Sequence, residues 1–388
     1  MEWSRRLKQI FLQDNINNRL KNEAKIKDQI NILRAFAIIA VVIIHVTSYF
    51  SEIHTFSGLP TIIASIDIFS QFAVPMFILI SGLVLSLRYD GEYSIKTFYK
   101  KRINRILIPY LIWSIIYILL NFIGNKNISA SGLIFQLFTG TAFYHLWFFF
   151  LIFQLYLLFP FYRKFLRGKS FIVIIIIFLL QIAFNHFKIG LIQNQHLSLI
   201  VKRLFLSHIF YFSLGIWIAD NLQKVEKLLS RSNYYANLIL FLVTTWASYI
   251  FSYNWLATNN HFYEPINILM IVEKLTLPLI YVLIFAMLYT LSSKIRSPKI
   301  RDPLESLSKY SFGIYLFHAL ILSGIIQVLK KINITPQNIS FYLITFITTI
   351  ALSYIFCYLA ERTKLSKYLL NVIIFFIESP TLSLPFSS

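Results

Sequence analysis

The chain has 388 residues, of which 57% are hydrophobic and only 13% are charged, and its formal net charge is +20. Soluble globular domains carry about 25% charged residues, so this composition excludes a soluble globular protein. Apolar runs recur along the whole chain, and many approach the ~20 residues that a helix needs to cross a ~30 Å hydrocarbon core. The sequence therefore predicts an all-α, polytopic transmembrane helical bundle.

The apolar runs divide the chain into about ten predicted spans. In chain order they are 32–50, 61–87, 106–123, 142–162, 170–187, 204–220, 235–253, 267–290, 310–327 and 340–360. The runs are continuously apolar, which favours helices over the alternating strands of a membrane barrel. An even number of spans places both termini on the same side of the membrane.

Lysine and arginine are distributed unevenly between the two sides. With ten spans, 28 of the 36 lie in segments on the side of the termini, six lie on the other side, and Arg34 and Lys274 lie within spans. Retention of positive charge on the inner side explains such a bias. Both termini are therefore predicted to be cytoplasmic in a multi-pass protein of the cell (inner) membrane, and a nucleic-acid partner is a poor interpretation of the net charge.

The chain divides into three predicted parts. Residues 1–28 form a basic cytoplasmic segment, because their basic residues are spread along the whole length rather than gathered before an apolar stretch as in a signal peptide. Residues 29–362 form the transmembrane domain. Residues 363–388 form a tail that is too short to span the membrane and is placed at the membrane interface.

Cys357 is the only cysteine, and the chain has no HExxH or CxxC motif, so no metal site is expected.

Two ionisable residues lie in the first span, "NILRAFAIIAVVIIHVTSYF". Arg34 and His45 are eleven residues apart, about 20° past three full helical turns, so both project from the same face roughly 16 Å apart. Ionisable residues within a span usually face the bundle interior or a water-filled cavity and mark function. The structural alternative is that Arg34 reaches the interface and His45 makes one interhelical hydrogen bond.

A second basic cluster is predicted at the depth of Arg34. Arg102 and Arg105 are one turn apart just before the third span, and therefore adjacent on a helix face. Together with Arg34 they are suited to bind a phosphorylated ligand. The alternative is that basic residues flanking a span only satisfy the positive-inside rule.

Five further polar residues in later spans are supporting candidates: Asp67, Ser81, His145, Tyr315 and His318. Asp67 is suited to orient an imidazole, or it is an outer-interface carboxylate. His145 fits the outer aromatic belt, and Tyr315 lies one turn before His318. A hydrogen-bonded core histidine is the structural alternative for His318.

Taken together, these motifs resemble acyltransferase family 3, a family of integral-membrane enzymes. The resemblance rests on Arg34-x10-His45, "VPMFILISG", "RINRILIPY", "HLWFFFLIFQLYLLFP" and "SFGIYLFHALI", which follow one another in this order from about residue 29 to 360. The chain is most similar to stand-alone members that O-acetylate surface polysaccharides or their lipid-linked precursors.

The resemblance implies a membrane-bound O-acyltransferase for surface or exopolysaccharide modification. It would move an acyl group, by default acetyl, from cytoplasmic acyl-CoA to a hydroxyl of a surface glycan or its lipid-linked precursor. The expected partners are acyl-CoA, this glycan acceptor and membrane lipids. Acyl-CoA is the donor substrate, and no bound cofactor is implied.

The resemblance also implies roles for individual residues. Arg34, Arg102 and Arg105 would bind the phosphates of coenzyme A. His45 would act as general base on the acceptor hydroxyl, or would itself carry the acyl group transiently. The candidates for donating a hydrogen bond to the developing charge on the thioester oxygen are Ser81, Tyr315 and His318.

Two rival functions remain open at this stage. A polysaccharide exporter or flippase would use polar groups in a bundle without acyl-transfer chemistry, but such transporters often have pseudo-symmetric halves, and the sequence shows no internal repeat. In a binding or scaffold protein the Arg34 and His45 pair would be only structural.

Overall fold

The structure of the protein is a computed structural model. It describes residues 2–49, 58–123, 129–188, 195–230, 235–236, 239–247, 250, 267–364 and 366–370. Within these ranges all regular secondary structure is helical, in agreement with the predicted fold class.

The helices are numbered here in chain order. They are α1 Glu2–Thr47, α2 Leu59–Ser70, α3 Ala73–Arg88, α4 Ile95–Arg102, α5 Ile108–Ile123, α6 Ala130–Thr139, α7 Trp147–Leu166, α8 Phe171–Phe187, α9 Gln195–Lys202, α10 Ile209–Asp220, α11 Leu222–Ser230, α12 Asn267–Lys294, α13 Pro298–Lys331, α14 Ile339–Glu361 and α15 Ser366–Leu369. A π-helical segment, Ile103–Leu107, joins α4 to α5, and residues 239–247 form a further helical stretch.

In the described part of the chain, seven helical stretches are long and apolar enough to cross a membrane. They are Lys25–Thr47, Leu59–Arg88, Ile95–Ile123, Trp147–Leu166, Leu275–Lys294, Pro298–Lys331 and Ile339–Glu361, and each overlaps a predicted span. Two shorter apolar helices, α8 and α10, coincide with two more predicted spans. The predicted span 235–253 lies partly outside the described residues. The helical membrane architecture is confirmed, and the count of ten spans stays a prediction.

Two helices begin well before the predicted spans. The first helix, α1, is continuous from Glu2, so the basic segment predicted as a separate part joins the first span without a break. Helix α13 begins at Pro298, inside a stretch predicted as a loop. Proline suits the first turn of a helix, where its missing N–H has no partner to lose. Hydropathy marks where a helix becomes apolar, and a helix can begin earlier.

Prolines explain two interruptions within the helices. The predicted span 61–87 is two helices, α2 and α3, which are separated at Gln71 and Phe72. Pro75 has no N–H to bond the carbonyl of Gln71, four residues earlier, and its ring crowds that carbonyl. Likewise Pro109 follows the π-helical segment and lies four residues after Arg105. Such π segments occur often at functional sites.

Helices α3 and α10 approach each other through glycine. A Cβ atom on Gly82 would lie 2.3 Å from the carbonyl oxygen of Phe212, and one on Gly215 would lie 2.1 Å from that of Leu79. Only glycine permits backbones to pack this closely in a helical bundle. The contact buries α10 and fixes α3, which carries Ser81.

Ion pairs gather several basic segments at one end of the bundle, called the basic end below. Arg163, at the end of α7, donates to both oxygens of Asp220 at 2.8 and 2.6 Å and to Asp90 at 3.1 Å. Arg301 of α13 donates to Asp28 of α1 at 2.6 Å. These contacts join four of the segments that the charge bias predicted on one side.

Helices α1 and α13 pack side by side and in parallel. Three side-chain contacts follow one another along the pair: Asp28 with Arg301, Arg34 with Ser311, and His45 with His318. Since the numbers rise together on both helices, the two chains run in the same direction. The seventeen residues from the first contact to the last on α1 correspond to about 26 Å along the axis.

Candidate active site

Three imidazole rings, those of His45, His145 and His318, lie together at the end of the bundle opposite the ion pairs. The rings of His45 and His318 are stacked, with centroids 5.1 Å apart and an angle of 27°. The centroids of His145 and His318 are 5.1 Å apart, edge to face, and those of His45 and His145 are 6.4 Å apart. The structure thus brings one predicted catalytic residue and two supporting candidates into one group, called the histidine cluster.

The orientation of His318 follows from its hydrogen bonds. Its Nδ1 lies 3.1 Å from the carbonyl oxygen of Ile314 and 2.8 Å from that of Tyr315. Carbonyl oxygens only accept, so Nδ1 carries the proton and Nε2 is the bare nitrogen, an assignment made from the bonding pattern. Nε2 is buried and has no hydrogen-bond partner in the described part of the chain. As a bare nitrogen, Nε2 can only accept a hydrogen bond.

His145 lies in a loop rather than in a helix. The predicted span 142–162 begins in the structure only at Trp147, and His145 belongs to the turn that precedes it. Gly140 starts this turn with φ of 68°, a left-handed conformation that favours glycine. The stretch "AFYHLW" is apolar enough to read as a helix, so hydropathy alone does not reveal the turn.

Two tyrosines hold the turn that carries His145. The hydroxyl of Tyr315 donates to the backbone carbonyl of His145 at 2.5 Å. The ring of Tyr117 stacks on Phe143 with centroids 4.3 Å apart, and its hydroxyl donates to a backbone carbonyl of α13 at 2.8 Å. The loop is therefore fixed against α13, and the hydroxyl of Tyr315 is already engaged.

The surroundings of His145 favour its neutral form. The ring is wholly buried, and neither nitrogen makes a well-formed hydrogen bond within the described residues. Burial lowers the pKa of His145 well below its usual value, and the nearby imidazoles of His318 and His45 lower it further. The backbone of Leu316 raises this pKa by a smaller amount. The cluster therefore contains an uncharged imidazole at physiological pH.

A cavity leads from Arg34 toward the histidine cluster. Most of its lining is apolar. The polar residues in the lining are Arg34, Ser81, Tyr156, Ser311 and Tyr315. Arg34 is buried and donates to Ser311 at 2.9 Å. Tyr315 also contacts the cluster, because its ring centroid lies 5.5 Å from that of His145.

Arg102 lies beside the same cavity in a cage of aromatic rings. Its guanidinium carbon is 5.4 to 5.7 Å from the ring centroids of Phe98, Tyr156 and Tyr89, and it donates to the Tyr89 hydroxyl at 3.1 Å. Tyr156 lines the cavity and donates to Ser81 at 3.2 Å. Arg34 interacts electrostatically with the same tyrosine. Two of the three predicted arginines thus flank Tyr156.

The remaining predicted site residues lie elsewhere. Arg105 is half-buried in the π-helical segment and is not part of the cavity lining. Asp67 is buried at the start of the bundle's second span, where its two oxygens accept hydrogen bonds from Thr47 at 2.7 Å and from Gln71 at 3.1 Å. Asp67 therefore ties α2 to the end of α1, two residues beyond His45.

Sequence reasoning missed several residues of the site: Tyr144, Tyr156 and Ser311. One signal was available for Ser311, since Ser311, Tyr315 and His318 are spaced i, i+4, i+7 and so share a helix face. Nothing in the sequence distinguishes Tyr144 or Tyr156 from the many neighbouring aromatic residues. Their roles depend on contacts between helices.

The site combines two arginines, one in the cavity lining and one beside it, with a cluster of imidazoles that contacts the cavity residue Tyr315. Arg34 and Arg102 suit an anionic group near the basic end, and the histidine cluster suits proton transfer at the other end. Among the described residues, no group of three or more His, Cys, Asp or Glu is arranged to hold a metal ion.

Comparison with known proteins gives one match. The sequence model of the acyltransferase domain of acyltransferase family 3 matches residues 27–358, which is most of the chain. No curated protein and no solved structure matches the chain.

Proposed function

Since the chain belongs to acyltransferase family 3 and is a membrane acyltransferase, we propose that it moves an acyl group, by default acetyl, from acyl-CoA to a hydroxyl of a glycan or its lipid-linked precursor. The donor enters from the basic end, which faces the cytoplasm, and the acceptor reaches the histidine cluster from the opposite end. The observation that carries this proposal is a cavity lined by both Arg34 and Tyr315, of which Tyr315 also contacts the ring of His145 in the cluster.

The donor is bound by charge at one end and by apolar contact along its length. The phosphates of coenzyme A bind Arg34 and Arg102, because buried or caged guanidinium groups form strong, directional hydrogen bonds with phosphate. Arg105, on the neighbouring π-helical segment, completes the positive mouth. The pantetheine arm follows the largely apolar cavity toward Tyr315, which delivers the thioester to the histidine cluster.

The reaction needs one base and no external oxidant or reductant. The imidazole of His45 takes the proton from the acceptor hydroxyl, and the oxygen attacks the thioester carbonyl. The tetrahedral oxyanion then collapses, the carbon–sulfur bond breaks, and the imidazolium returns its proton to the departing thiolate. His318, stacked on His45 and fixed through Nδ1, holds the His45 ring in its orientation during the transfer. In the covalent alternative, His45 attacks first and holds the acyl group between two transfers.

Tyr315 does not donate a hydrogen bond to the oxyanion in this arrangement. Its hydroxyl already donates to the backbone carbonyl of His145, so Tyr315 holds the loop and bounds the cavity. Ser81 accepts a hydrogen bond from Tyr156, which Arg34 and Arg102 flank, so it lies with the phosphate-binding residues rather than with the histidine cluster.

The test uses protein reconstituted in proteoliposomes. Acetyl-CoA with a radiolabelled acetyl group is supplied on the side that the basic end faces, and a glycan acceptor is enclosed on the other. The proposal predicts that free CoA appears outside while label accumulates on the enclosed glycan. If glycan crosses the membrane and acetyl-CoA is never consumed, the exporter function holds and the proposal fails.

A further inference from the structure

The histidine cluster opens to the surface at the end opposite the cavity. His145 and His318 are wholly buried, whereas His45 is partly exposed. Among the described rings, the one closest to His45 is that of Tyr144, with centroids 4.9 Å apart in an edge-to-face arrangement. Tyr144 itself is 45% exposed. A molecule approaching His45 from this end therefore meets the ring of Tyr144.

Two more side chains border this opening. Tyr49 lies four residues after His45, just beyond the end of α1, and interacts electrostatically with Tyr144. Lys330, near the end of α13, places its ammonium group 6.0 Å from the ring centroid of Tyr49. Tyr144, Tyr49 and Lys330 thus come from three separate segments and form a row of contacts that begins beside His45. They are called the acceptor platform below.

The chemistry of the platform suits a sugar ring. The C–H face of a pyranose is apolar and packs on an aromatic ring, while its hydroxyl groups project from the edge, and aromatic rings supply large apolar contact with defined geometry. A sugar stacked on Tyr144 places an edge hydroxyl toward His45, as the base requires. Phe138 of α6 is also exposed, at 72%, but within the described residues its ring makes no contact with the histidine cluster.

The positive charge of the platform favours sugars that carry an anionic group. Lys330 and Lys331 are both exposed at the end of α13, and the ammonium of Lys330 stands at the edge of the aromatic surface. A carboxylate or phosphate on the sugar is attracted to such a site, and opposite charges at the rim of a site contribute mainly to selectivity.

From this geometry we infer that the acceptor platform is the acceptor subsite, with a sugar ring stacked on Tyr144, a hydroxyl directed at His45 and an anionic substituent bound by Lys330. The inference rests on the proposed function and adds to it the residues that choose the acceptor. Tyr144 and Lys330 are specificity-determining residues, and neither is required for binding of the donor.

The experiment compares two acceptors, three test variants and one control variant. A neutral glucan tetrasaccharide and a uronic acid tetrasaccharide are titrated at saturating acetyl-CoA, and CoA release is followed for wild type, Tyr144→Ala, Tyr144→Phe and Lys330→Gln. Loss of one stacking contact corresponds to about tenfold in affinity, so Tyr144→Ala raises the acceptor KM by about this factor, while the acetyl-CoA KM is unchanged. Tyr144→Phe keeps the ring and stays close to wild type. Phe138→Ala is the matched control.

The part of the experiment that tests selectivity between the two acceptors uses only the Lys330 variant. Wild type prefers the uronic acid tetrasaccharide, and Lys330→Gln raises the KM for this acceptor but not for the neutral one. The inference is overturned if neither tetrasaccharide stimulates CoA release, or if Tyr144→Ala lowers kcat at an unchanged acceptor KM. Failure of the proposed function looks different, because wild type then neither consumes acetyl-CoA nor shows an acetyl-CoA-dependent shift in melting temperature.

Discussion

The imidazole of His318 stacks on that of His45 at a centroid distance of 5.1 Å, and its Nδ1–H is held by backbone carbonyls of its own helix. The two rings belong to α1 and α13, which run in parallel from the basic end. The stack is therefore fixed by the packing of two long helices rather than by a loop. The ring stacked on His45, the candidate base, is therefore one that cannot rotate freely.

This relationship predicts the effect of changing His318. In His318→Asn, the side-chain amide still donates to the backbone carbonyls, but the ring that faces His45 is lost. We expect kcat to fall by about 10²-fold, a typical contribution of a group that assists proton transfer, with the acetyl-CoA KM unchanged. The measurement is steady-state CoA release with both substrates saturating.

The control for this variant is another histidine, which is half-buried. His208 packs on Trp147 with centroids 6.0 Å apart and lies outside the cluster. His208→Asn is expected to keep kcat within about threefold of wild type. Equal loss in both variants would show that kcat depends on general packing, and the role given to His318 would be wrong.

Protonation of buried imidazoles predicts a pH dependence of stability. Burial lowers the pKa of His145 below the value near 6.5 of an unfolded chain. Below pH 6.5 the unfolded chain therefore binds a proton that the folded protein does not, so stability is present above this pH and is lost as pH falls. We expect the melting temperature in detergent to decrease between pH 7.5 and pH 5.5.

Removal of the His145 imidazole tests this assignment. His145→Asn has no group that titrates in this range, so its melting temperature should fall less steeply over the same pH interval. One group contributes at most about 1.4 kcal/mol per pH unit. Parallel curves for the variant and wild type would assign the pH dependence to other groups.

The close approach of α3 and α10 predicts a sharp difference between two glycines. Gly82→Ala forces a Cβ against the backbone carbonyl of Phe212, at 2.3 Å in the present geometry, and the helices must separate. Overpacking of this kind costs about 1–3 kcal/mol, so the melting temperature should fall. Gly91→Ala is the control, because a Cβ there meets nothing within 4 Å. Equal melting temperatures would contradict the packing described.

Arg34 is predicted to bind the donor through its shape as well as its charge. Arg34→Lys keeps the positive charge but loses the planar fork that reaches Ser311 and a phosphate together. Hydrogen bonds to charged groups contribute about 1.5–3 kcal/mol, so the acetyl-CoA KM should rise by about tenfold or more. Arg167, whose side chain is 63% exposed at the basic end, provides the control Arg167→Lys, which should leave this KM unchanged.

The part of the site that the sequence predicted is the part encoded along single helices. The spacing of Arg34 and His45 predicted that both project from one face of α1. In the structure Arg34 lines the cavity, and His45 belongs to the histidine cluster. Continuous apolar runs identified the spans. Both signals are local, since helical periodicity relates residues on the same element.

The rest of the site depends on contacts between elements, which spacing does not reveal. Tyr156 belongs to the site because Arg34 and Arg102 flank it. Tyr144 belongs to the site because its loop packs on α1. The turn before α7 was predicted as helix because its residues are apolar. In a membrane protein, hydropathy reports burial in lipid or protein and does not distinguish a helix from a well-packed turn.

The most direct test of the account removes the imidazole of His45 and measures transfer of radiolabelled acetyl groups to glycan in proteoliposomes. We expect His45→Ala and His45→Gln to lose at least about 10²-fold in transfer rate, while His186→Ala, at an exposed histidine of α8, retains the wild-type rate. Full transfer activity in either His45 variant would contradict the central role of the histidine on α1.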